Sequence, residues 1–139
     1  MTQEEKDLLL KDLCSRLDTN LVCSIYRTDD EGVGYRDEIL HGYCKGDIWY
    51  EFYFREDCSI GIDNVSKIKP YLFPFSSMTE EQKRELDNLV EESVFQILHS
   101  EDGNPQPQIP MDWYNKNHFD YRGLIPMDLA IDATGLNIY

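Results

Sequence analysis

The chain has 139 residues, a length typical of one domain, and its 41% hydrophobic content is far above that of disordered chains. Its 27 acidic and 13 basic side chains give a formal net charge of −14, which disfavours direct binding to nucleic acid because phosphate backbones are repelled. No apolar run approaches the roughly 20 residues of a membrane span, so we expect one soluble domain over residues 1–139 and no membrane partner.

The N-terminal segment has the pattern of an amphipathic helix over residues 3–17. Thr2 and Glu5 have the spacing of a capping box, in which each side chain accepts a hydrogen bond from the other residue's backbone amide. Apolar residues then recur at three- and four-residue steps, and we expect them to pack on the core while Asp12 points elsewhere. The apolar positions are Leu9, Leu10, Leu13, Cys14 and Leu17.

From Leu21 the apolar period changes to two, which is typical of strands. The predicted strands are 21–26, 35–41, 47–54, 59–62 and 65–68, and residues 42–46 are predicted to form a turn. Because the connections between these strands are short, they favour an antiparallel sheet of about four strands over parallel crossovers.

The strand at 47–54 is dense in aromatic residues. Alternation places Tyr50, Phe52 and Phe54 on one face, which we expect to fill the core. Trp49 and Tyr53 lie on the opposite face, where another helix or a partner protein could cover them. The acidic neighbours of these rings disfavour base stacking, which needs flanking cations.

Residues 70–75 are apolar but contain Pro70 and Pro74, so they predict a packed connector rather than a central strand. A second long helix is predicted next, capped by Ser77 with Glu80 or by Thr79 with Gln82. Its apolar stripe, which we expect to pack with the sheet, consists of Leu86, Leu89, Val90, Val94, Ile97 and Leu98.

The acidic residues of this second helix indicate an alternative function. Glu81, Glu85 and Glu92 follow steps of four and seven residues, so they can form one exposed stripe. Such a stripe could imitate nucleic acid and inhibit a basic host protein. The simpler interpretation is an ordinary solvated helix face.

The four cysteines show neither a C-x-x-C motif nor a histidine at zinc-ligand spacing. Because the sequence has no signal peptide, we expect reduced thiols and a cytoplasmic location, without a metal or another cofactor. The cysteines are Cys14, Cys23, Cys44 and Cys58.

The last third of the chain contains a second candidate site, which comes after a short helix predicted near Asp112. His118, Asp120 and Arg122 stand two residues apart, and a histidine beside a carboxylate can act as a general base. A small hydrolase that uses His118 and Asp120, with Cys44 or Cys58, is therefore an alternative. The simpler interpretation is a hydrogen-bonded turn, in which Arg122 pairs with Asp120.

The C-terminal block runs from His118 to Ile125 (HFDYRGLI) and continues from Leu129 to Thr134 (LAIDAT). This block resembles the ending of an uncharacterised family of small acidic proteins from gut bacteria and their prophages. The start at Thr2–Lys6 and the segment Lys69–Glu81 are similar to that family as well. The resemblance implies a rough architecture and a role on host or phage components, but no active site.

Together these patterns predict an α+β domain, in which a curved antiparallel sheet of about four strands packs with two long helices and a short C-terminal helical segment. No group of residues combines a nucleophile, a base and a stabilising donor. We therefore predict a cytoplasmic binding or accessory protein with a protein partner, associated with phages or mobile elements, rather than an enzyme. The predicted partner-binding residues are Trp49, Tyr53, Tyr114, His118, Asp120 and Arg122.

Overall fold

The structure is a computed structural model that describes residues 1–29, 32–45, 50–55, 58–98 and 111–139. The helices are α1 (Gln3–Ser15), α2 (Glu80–Leu98) and α3 (Met111–Lys116), with short 3-10 helices at Ile62–Lys67 and Phe75–Ser77. The strands are β1 (Val22–Asp29), β2 (Gly32–Ile39), β3 (Gly42–Lys45), β4 (Tyr50–Arg55), β5 (Cys58–Gly61), β6 (Ile68–Leu72) and β7 (Ile131–Asp132). The predicted α+β class is confirmed. Within the described ranges, none of the helices is long and apolar enough to cross a membrane.

The strands form two sheets. One has four strands in the order β2-β1-β6-β7, and the other has three in the order β3-β4-β5. The described pairings between these strands are antiparallel except that of β6 with β7, and the isolated bridge between Phe73 and Phe119 is also parallel. The turn predicted at 42–46 is instead largely strand β3, which pairs with β4 through residues Gly42 to Lys45. The strand predicted at 65–68 is instead mostly the 3-10 helix Ile62–Lys67. The sequence therefore predicts β1, β2, β4 and β5 approximately, but not β3 or the division into two sheets.

Strand β6 lies between β1 and β7 although it contains Pro70, so the prediction of a connector without a central strand is wrong. Pro70 lies opposite Cys23 of β1, and β6 pairs with β7 only through the two residues that follow, Tyr71 and Leu72. An N–H at position 70 would point away from β1, toward the side of β6 on which β7 lies. The pairing with β7 starts only at the next residue, Tyr71. No ladder hydrogen bond is lost there, which makes proline compatible with a central strand.

Helix α1 begins at the predicted capping box. The Glu5 amide donates to Thr2 Oγ1 at 3.1 Å, and the Thr2 amide donates to Glu5 Oε2 at 2.7 Å. The helix ends at Ser15, two residues earlier than predicted. Its Leu9 and Leu13 are fully buried and belong to one core cluster with side chains from both sheets. The core residues from the sheets include Cys23, Ile25, Phe52, Phe54, Ile60, Ile68 and Leu72.

Backbone hydrogen bonds join the C-terminal block to the end of β6 and to the residue that follows this strand, Phe73. The Phe73 amide donates to the His118 carbonyl at 2.8 Å, and the Asp120 amide donates to the Phe73 carbonyl at 2.9 Å. Further on, the Ala133 amide donates to the Leu72 carbonyl at 2.8 Å. These backbone bonds attach the two ends of residues 118–133 to the centre of the fold, and they satisfy backbone polar groups in a segment with little secondary structure.

Candidate protein-binding surface

Helix α2 begins at the second of the two predicted caps. The Gln82 amide donates to Thr79 Oγ1 at 3.1 Å, and the Thr79 amide donates to Gln82 Oε1 at 2.9 Å. Glu80 and Glu81 lie in the first turn, where carboxylates interact favourably with the positive end of the helix dipole. From this start the helix continues for 19 residues.

None of the described side chains of α2 is buried, in contrast to the expectation that its apolar stripe packs with the sheet. Val90, Val94 and Leu98 are 44%, 48% and 75% exposed, and Leu86 and Leu89 are half-buried. Apolar periodicity predicts that one helix face is covered but does not say by what. An apolar helix face in solvent is typical of an interaction surface.

Four apolar residues lie on one side of this helix, and we call them the α2 stripe. Leu86, Val90 and Val94 follow one another at four-residue steps, and Leu89 lies three residues after Leu86. Ile97 continues the same spacing, but its side chain is outside the described part of the chain. The stripe therefore extends over at least two helical turns.

Carboxylates flank the α2 stripe on both sides. By helical geometry Glu85 and Glu92 lie beyond Leu89, whereas Asp87 and Glu91 lie beyond Val94, and all four carboxylates are exposed. The helix carries six acidic side chains against two basic ones, Lys83 and Arg84, a net charge of −4. Lys83 is already paired with Glu80 at 3.1 Å. The surface is thus an apolar strip with acidic borders.

The aromatic residues of β4 partly follow the prediction. Phe52 and Phe54 are fully buried, but Tyr50 is 48% exposed and stacks on Tyr43 with ring centroids 5.6 Å apart. Tyr53 lies on the other face, as predicted, and is 38% exposed. Trp49 lies outside the described residues.

The ring of Tyr53 covers Gly42, which is its cross-strand partner on β3. A Cβ atom at Gly42 would lie 2.5 Å from Tyr53 Cε1, which is too close for an ordinary contact. The glycine thus lets the ring lie against the backbone of β3. Part of Tyr53 is therefore already used inside the chain, and the rest is available to a partner.

His118 lies in the interior. Its Nε2 is 2.8 Å from the Thr19 carbonyl oxygen, and because a carbonyl can only accept, this nitrogen carries a proton. The imidazole stacks on the Tyr139 ring with centroids 3.8 Å apart. Burial lowers the pKa of His118, although the Thr19 carbonyl opposes this effect. These contacts favour a neutral, structural histidine.

Asp120 closes the turn that comes next. One carboxylate oxygen accepts the Leu124 amide at 2.8 Å and the other accepts the Ile125 amide at 2.9 Å. Gly123, just before them, has a φ of +73°, a conformation that glycine adopts without strain. The hydrogen-bonded turn is therefore present. The predicted pairing of Arg122 with Asp120 is wrong, since Arg122 binds Asp12.

Asp12 does not point away from the core as the helical pattern predicts, because it and Arg16 are both fully buried. Arg16 Nε donates to Asp12 Oδ2 at 2.9 Å, and Arg122 Nη1 donates to Asp12 Oδ1 at 2.9 Å. Arg16 Nη2 also donates to the Phe119 carbonyl at 2.6 Å. The four-residue spacing of Asp12, in α1, and Arg16, at the C-cap of that helix, is a sequence signal for an ion pair. Nothing local indicates that the pair is buried.

Tyr114 and Tyr121 complete this network. Their rings stack with centroids 5.6 Å apart, and the guanidinium carbons of Arg16 and Arg122 lie 5.1 and 4.6 Å from the centroid of the Tyr121 ring. The Tyr121 hydroxyl donates to Asn115 Oδ1 at 2.9 Å. Arg122 therefore holds the C-terminal block against α1, and Tyr114 packs on Tyr121 beside it. The described contacts of His118 and Asp120 are structural as well, but they are made outside α1.

The groups of the alternative hydrolase are distributed over different elements. Cys44 is exposed on β3 opposite Glu51, and Cys58 is buried on β5. The contacts described for His118 are with Thr19 and Tyr139. Within the described residues, no group of His, Cys, Asp and Glu side chains could hold a metal ion. The geometry supplies no support for a His118–cysteine pair.

A cleft of about 390 Å³ opens where β1, β5 and the 3-10 helix at Ile62–Lys67 meet. Charged side chains of both signs line it, among them Arg27, Glu51, Asp63 and Lys67. Of the predicted partner-binding residues that the structure describes, which are all but Trp49, none is in its lining.

Comparisons with protein-family models, with curated proteins and with solved structures each give no match. The resemblance to a family from gut bacteria and their prophages therefore stays a prediction.

Proposed function

We propose that this chain is a binding factor that inserts α2 into an apolar groove of a protein partner whose rim carries basic residues. The exposure of the α2 stripe is the observation that supports this proposal. The proposal keeps the expectation of a cytoplasmic, non-enzymatic accessory protein of phage or mobile-element origin. The main contact surface proposed is α2, in place of the predicted surface formed by Trp49, Tyr53 and the segment from Tyr114 to Arg122.

The spacing of the α2 stripe suits a groove. Helices that bind in grooves present apolar anchors at intervals of three, four and seven residues, and Leu86, Leu89 and Val90 have the first two intervals. Most helical stability in proteins comes from covering such a face. A partner groove would supply the cover that the described part of this chain does not.

The charge of α2 determines the chemistry of the partner. Carboxylates border the stripe on both sides, so an acidic rim would repel them, whereas lysine and arginine side chains would pair with them. The chain as a whole, with a net charge of −14, adds attraction at longer range. We therefore expect a complex that forms quickly and weakens as salt is added.

The experiment uses two substitutions in the stripe and one matched control. The full chain, as bait, is used to isolate a partner from host lysate, and the identified partner is then purified and titrated against variants. Val90→Glu and Val94→Glu place a carboxylate inside the apolar contact and should weaken binding by about a hundredfold, because a buried unpaired charge costs several kcal/mol. Asn88→Glu adds the same charge on the opposite side of the helix and should change the affinity less than about threefold. Equal binding of all three variants would refute the proposal.

A second candidate function is the acidic mimic of nucleic acid. It is favoured by Glu81, Glu85 and Glu92, which are all exposed. In that case the carboxylates provide the binding and the stripe does not. Changing the three residues together to Gln would abolish binding, whereas Val90→Glu would leave it unchanged.

A further inference from the structure

We infer that a pocket at the start of α2 receives the ring of a tyrosine or tryptophan side chain from the protein partner. The identity of that partner rests on the proposed function, whereas the pocket can be tested without any partner. Three features of the pocket support the inference: its position at the end of the α2 stripe, the contacts that hold its phenyl rings in place, and the hydroxyl groups beside those rings.

The pocket lies between the start of α2 and the C-terminal block, and its volume is about 260 Å³. The lining includes two phenylalanines, Phe73 and Phe119, and two hydroxyl side chains, Thr79 and Thr134. Gly135 also lines it, and a Cβ atom added at this glycine would meet no atom within 4 Å. The pocket is therefore open beside Gly135, and it has room for one aromatic side chain.

The position of the pocket connects it with the α2 stripe. Gln82 lines the pocket, and Leu86, Val90 and Val94 follow it at steps of four residues. Residues four apart are neighbours on the surface of a helix, so Gln82 begins the row that the stripe continues. The row is about 18 Å long, since a helix rises about 1.5 Å per residue. A partner that covers the stripe from Val94 to Leu86 therefore reaches the pocket at the end of the same row.

Contacts within the chain hold the two phenyl rings of the pocket in place. Phe73 and Phe119 form a parallel β-bridge, and their rings are in contact with centroids 6.3 Å apart. Trp113 stacks on the Phe119 ring with centroids 5.5 Å apart and an angle of 11° between the ring planes. Because these rings are positioned before a partner binds, binding does not have to order them.

The chemistry of the lining selects an aromatic side chain that carries a polar atom. Tyrosine and tryptophan combine an apolar ring, which packs favourably on phenyl rings, with a polar group at the edge. The Thr79 hydroxyl oxygen accepts the Gln82 amide at 3.1 Å, and in the described contacts its proton has no acceptor, so it can donate. The Thr134 hydroxyl donates to Asp132 Oδ1 at 2.6 Å, which leaves its lone pairs to accept. An aliphatic side chain would exclude water from these hydroxyl groups without replacing its hydrogen bonds.

The first test titrates small mimics of side chains into the chain and follows the backbone amides by NMR. p-Cresol and indole, which represent tyrosine and tryptophan, should shift the amides of Gln82, Thr134 and Gly135. The dissociation constants should be on the order of 1–10 mM, as expected for ligands with so few atoms. Ethylguanidine represents arginine, the other common anchor at interfaces, and should not shift these amides.

Two substitutions at one position locate the binding of these mimics. Thr134→Phe adds a phenyl ring to the lining and should weaken p-cresol binding at least about tenfold, because the ring and p-cresol compete for the same space. Thr134→Val is the matched control. It removes the hydroxyl but leaves the space, and it should weaken p-cresol binding less than about fivefold, as expected for one hydrogen bond. The inference is overturned if p-cresol and indole do not shift the three amides, if Thr134→Phe binds p-cresol as the wild type does, or if ethylguanidine shifts the same amides equally.

The second test uses the partner isolated with the chain and separates the pocket from the stripe. Thr134→Phe should weaken the complex at least about tenfold, as the loss of a buried aromatic anchor does, and Thr134→Val should weaken it less than about fivefold. If Val90→Glu and Val94→Glu weaken the complex and Thr134→Phe does not, the proposed function stands and this inference is overturned. If Thr134→Phe weakens the complex and the two stripe variants do not, the pocket is a binding site and the proposed function of α2 is overturned.

Discussion

Asp12 and Arg122 are 110 positions apart in the sequence, and their side chains form an ion pair of 2.9 Å. The same carboxylate binds Arg16, so two guanidinium groups share one buried acid. Through these bonds the C-terminal block is attached to the first helix. The block that the sequence singles out as a candidate site is therefore, in its described contacts, a structural element.

Removing the shared carboxylate should be costly. Asp12→Asn leaves Arg16 and Arg122 without a counter-charge, and breaking a buried ion pair from one side typically costs about 3–5 kcal/mol. Asp128→Asn is the matched control, because it removes the Lys69–Asp128 pair at the surface, where the Asp128 side chain is 92% exposed. It should cost less than about 1 kcal/mol. Urea unfolding measures the free energy of unfolding of both variants. Similar losses of stability in the two would contradict the central role of Asp12.

The hydroxyl of Tyr139 bridges two strands. It accepts from the Val22 amide at 3.0 Å and donates to the Tyr71 carbonyl at 2.8 Å, at the place where β1 and β6 would otherwise continue their ladder. Tyr139→Phe should lower the free energy of unfolding by about 1–3 kcal/mol, since two backbone groups lose their partner. Tyr35→Phe removes a hydroxyl from a side chain that is 71% exposed and should be nearly neutral. A neutral Tyr139→Phe in thermal unfolding would show that water replaces the bridge.

Stability should fall as the pH drops below neutral, and His118 should contribute to that fall. Burial lowers the pKa of His118 below its ordinary value near 6.5. The unfolded chain therefore takes up a proton at a higher pH than the folded chain does. The stabilisation by the neutral, buried His118 is fully present above the pKa that this histidine has in the unfolded chain. It is lost as the pH falls through the lower pKa that the histidine has in the folded chain.

His118→Asn should remove this part of the pH dependence, and asparagine tolerates the φ of +61° at this position. Unfolding free energies between about pH 5 and pH 8 would test it. A slope that is unchanged in the variant would assign the effect to other groups.

Adding a methyl group at Gly42 should displace the Tyr53 ring. The Cβ of Gly42→Ala would lie 2.5 Å from Tyr53 Cε1, and because the far end of this 38% exposed ring can turn aside, the change should cost about 1 kcal/mol. In a Tyr53→Ala background the same Gly42→Ala change should be nearly free, because the ring is absent. A double-mutant cycle gives the coupling between the two sites. A coupling energy of zero would mean that the position of the Tyr53 ring does not require a glycine at position 42.

The position of α2 outside the core predicts that its stripe contributes little to the stability of the free chain. Val90→Glu and Val94→Glu should each change the free energy of unfolding by less than about 0.5 kcal/mol, as exposed positions usually do. Leu13→Ala, at a fully buried position of α1, should cost about 2–5 kcal/mol. Chemical denaturation of the three variants tests this contrast. A large loss with Val90→Glu would show that the helix packs within the chain.

Much of the local structure could be predicted from short-range chemistry. The caps at Thr2 and Thr79 depend on hydrogen bonds that span three residues, and both are recognisable in the sequence. The burial of Phe52 and Phe54 follows from alternation. Tyr50 belongs to the same alternating set as Phe52 and Phe54, but it is exposed. It is the first residue of β4, and the core does not extend to that end of the strand.

The candidate site was less predictable. His118, Asp120 and Arg122 attract attention because their residue types suit catalysis or binding, yet the chemistry of each depends on groups far away in the sequence. Thr19, 99 positions earlier, accepts from His118, and Asp12 accepts from Arg122. Spacing along the chain carries no information about such partners.

The sequence by itself determined where the helices begin, which stretches favour strands and that the surface is strongly acidic, because capping, alternation and charge are properties of neighbouring residues. The tertiary structure alone decided that Pro70 lies in a central strand, that Asp12 is buried and that the α2 stripe is left in solvent. Each of these depends on which distant segment occupies the adjacent space. A proline is compatible with a strand when the missing N–H faces no ladder, and an apolar helix face is a binding surface only when the chain itself does not cover it.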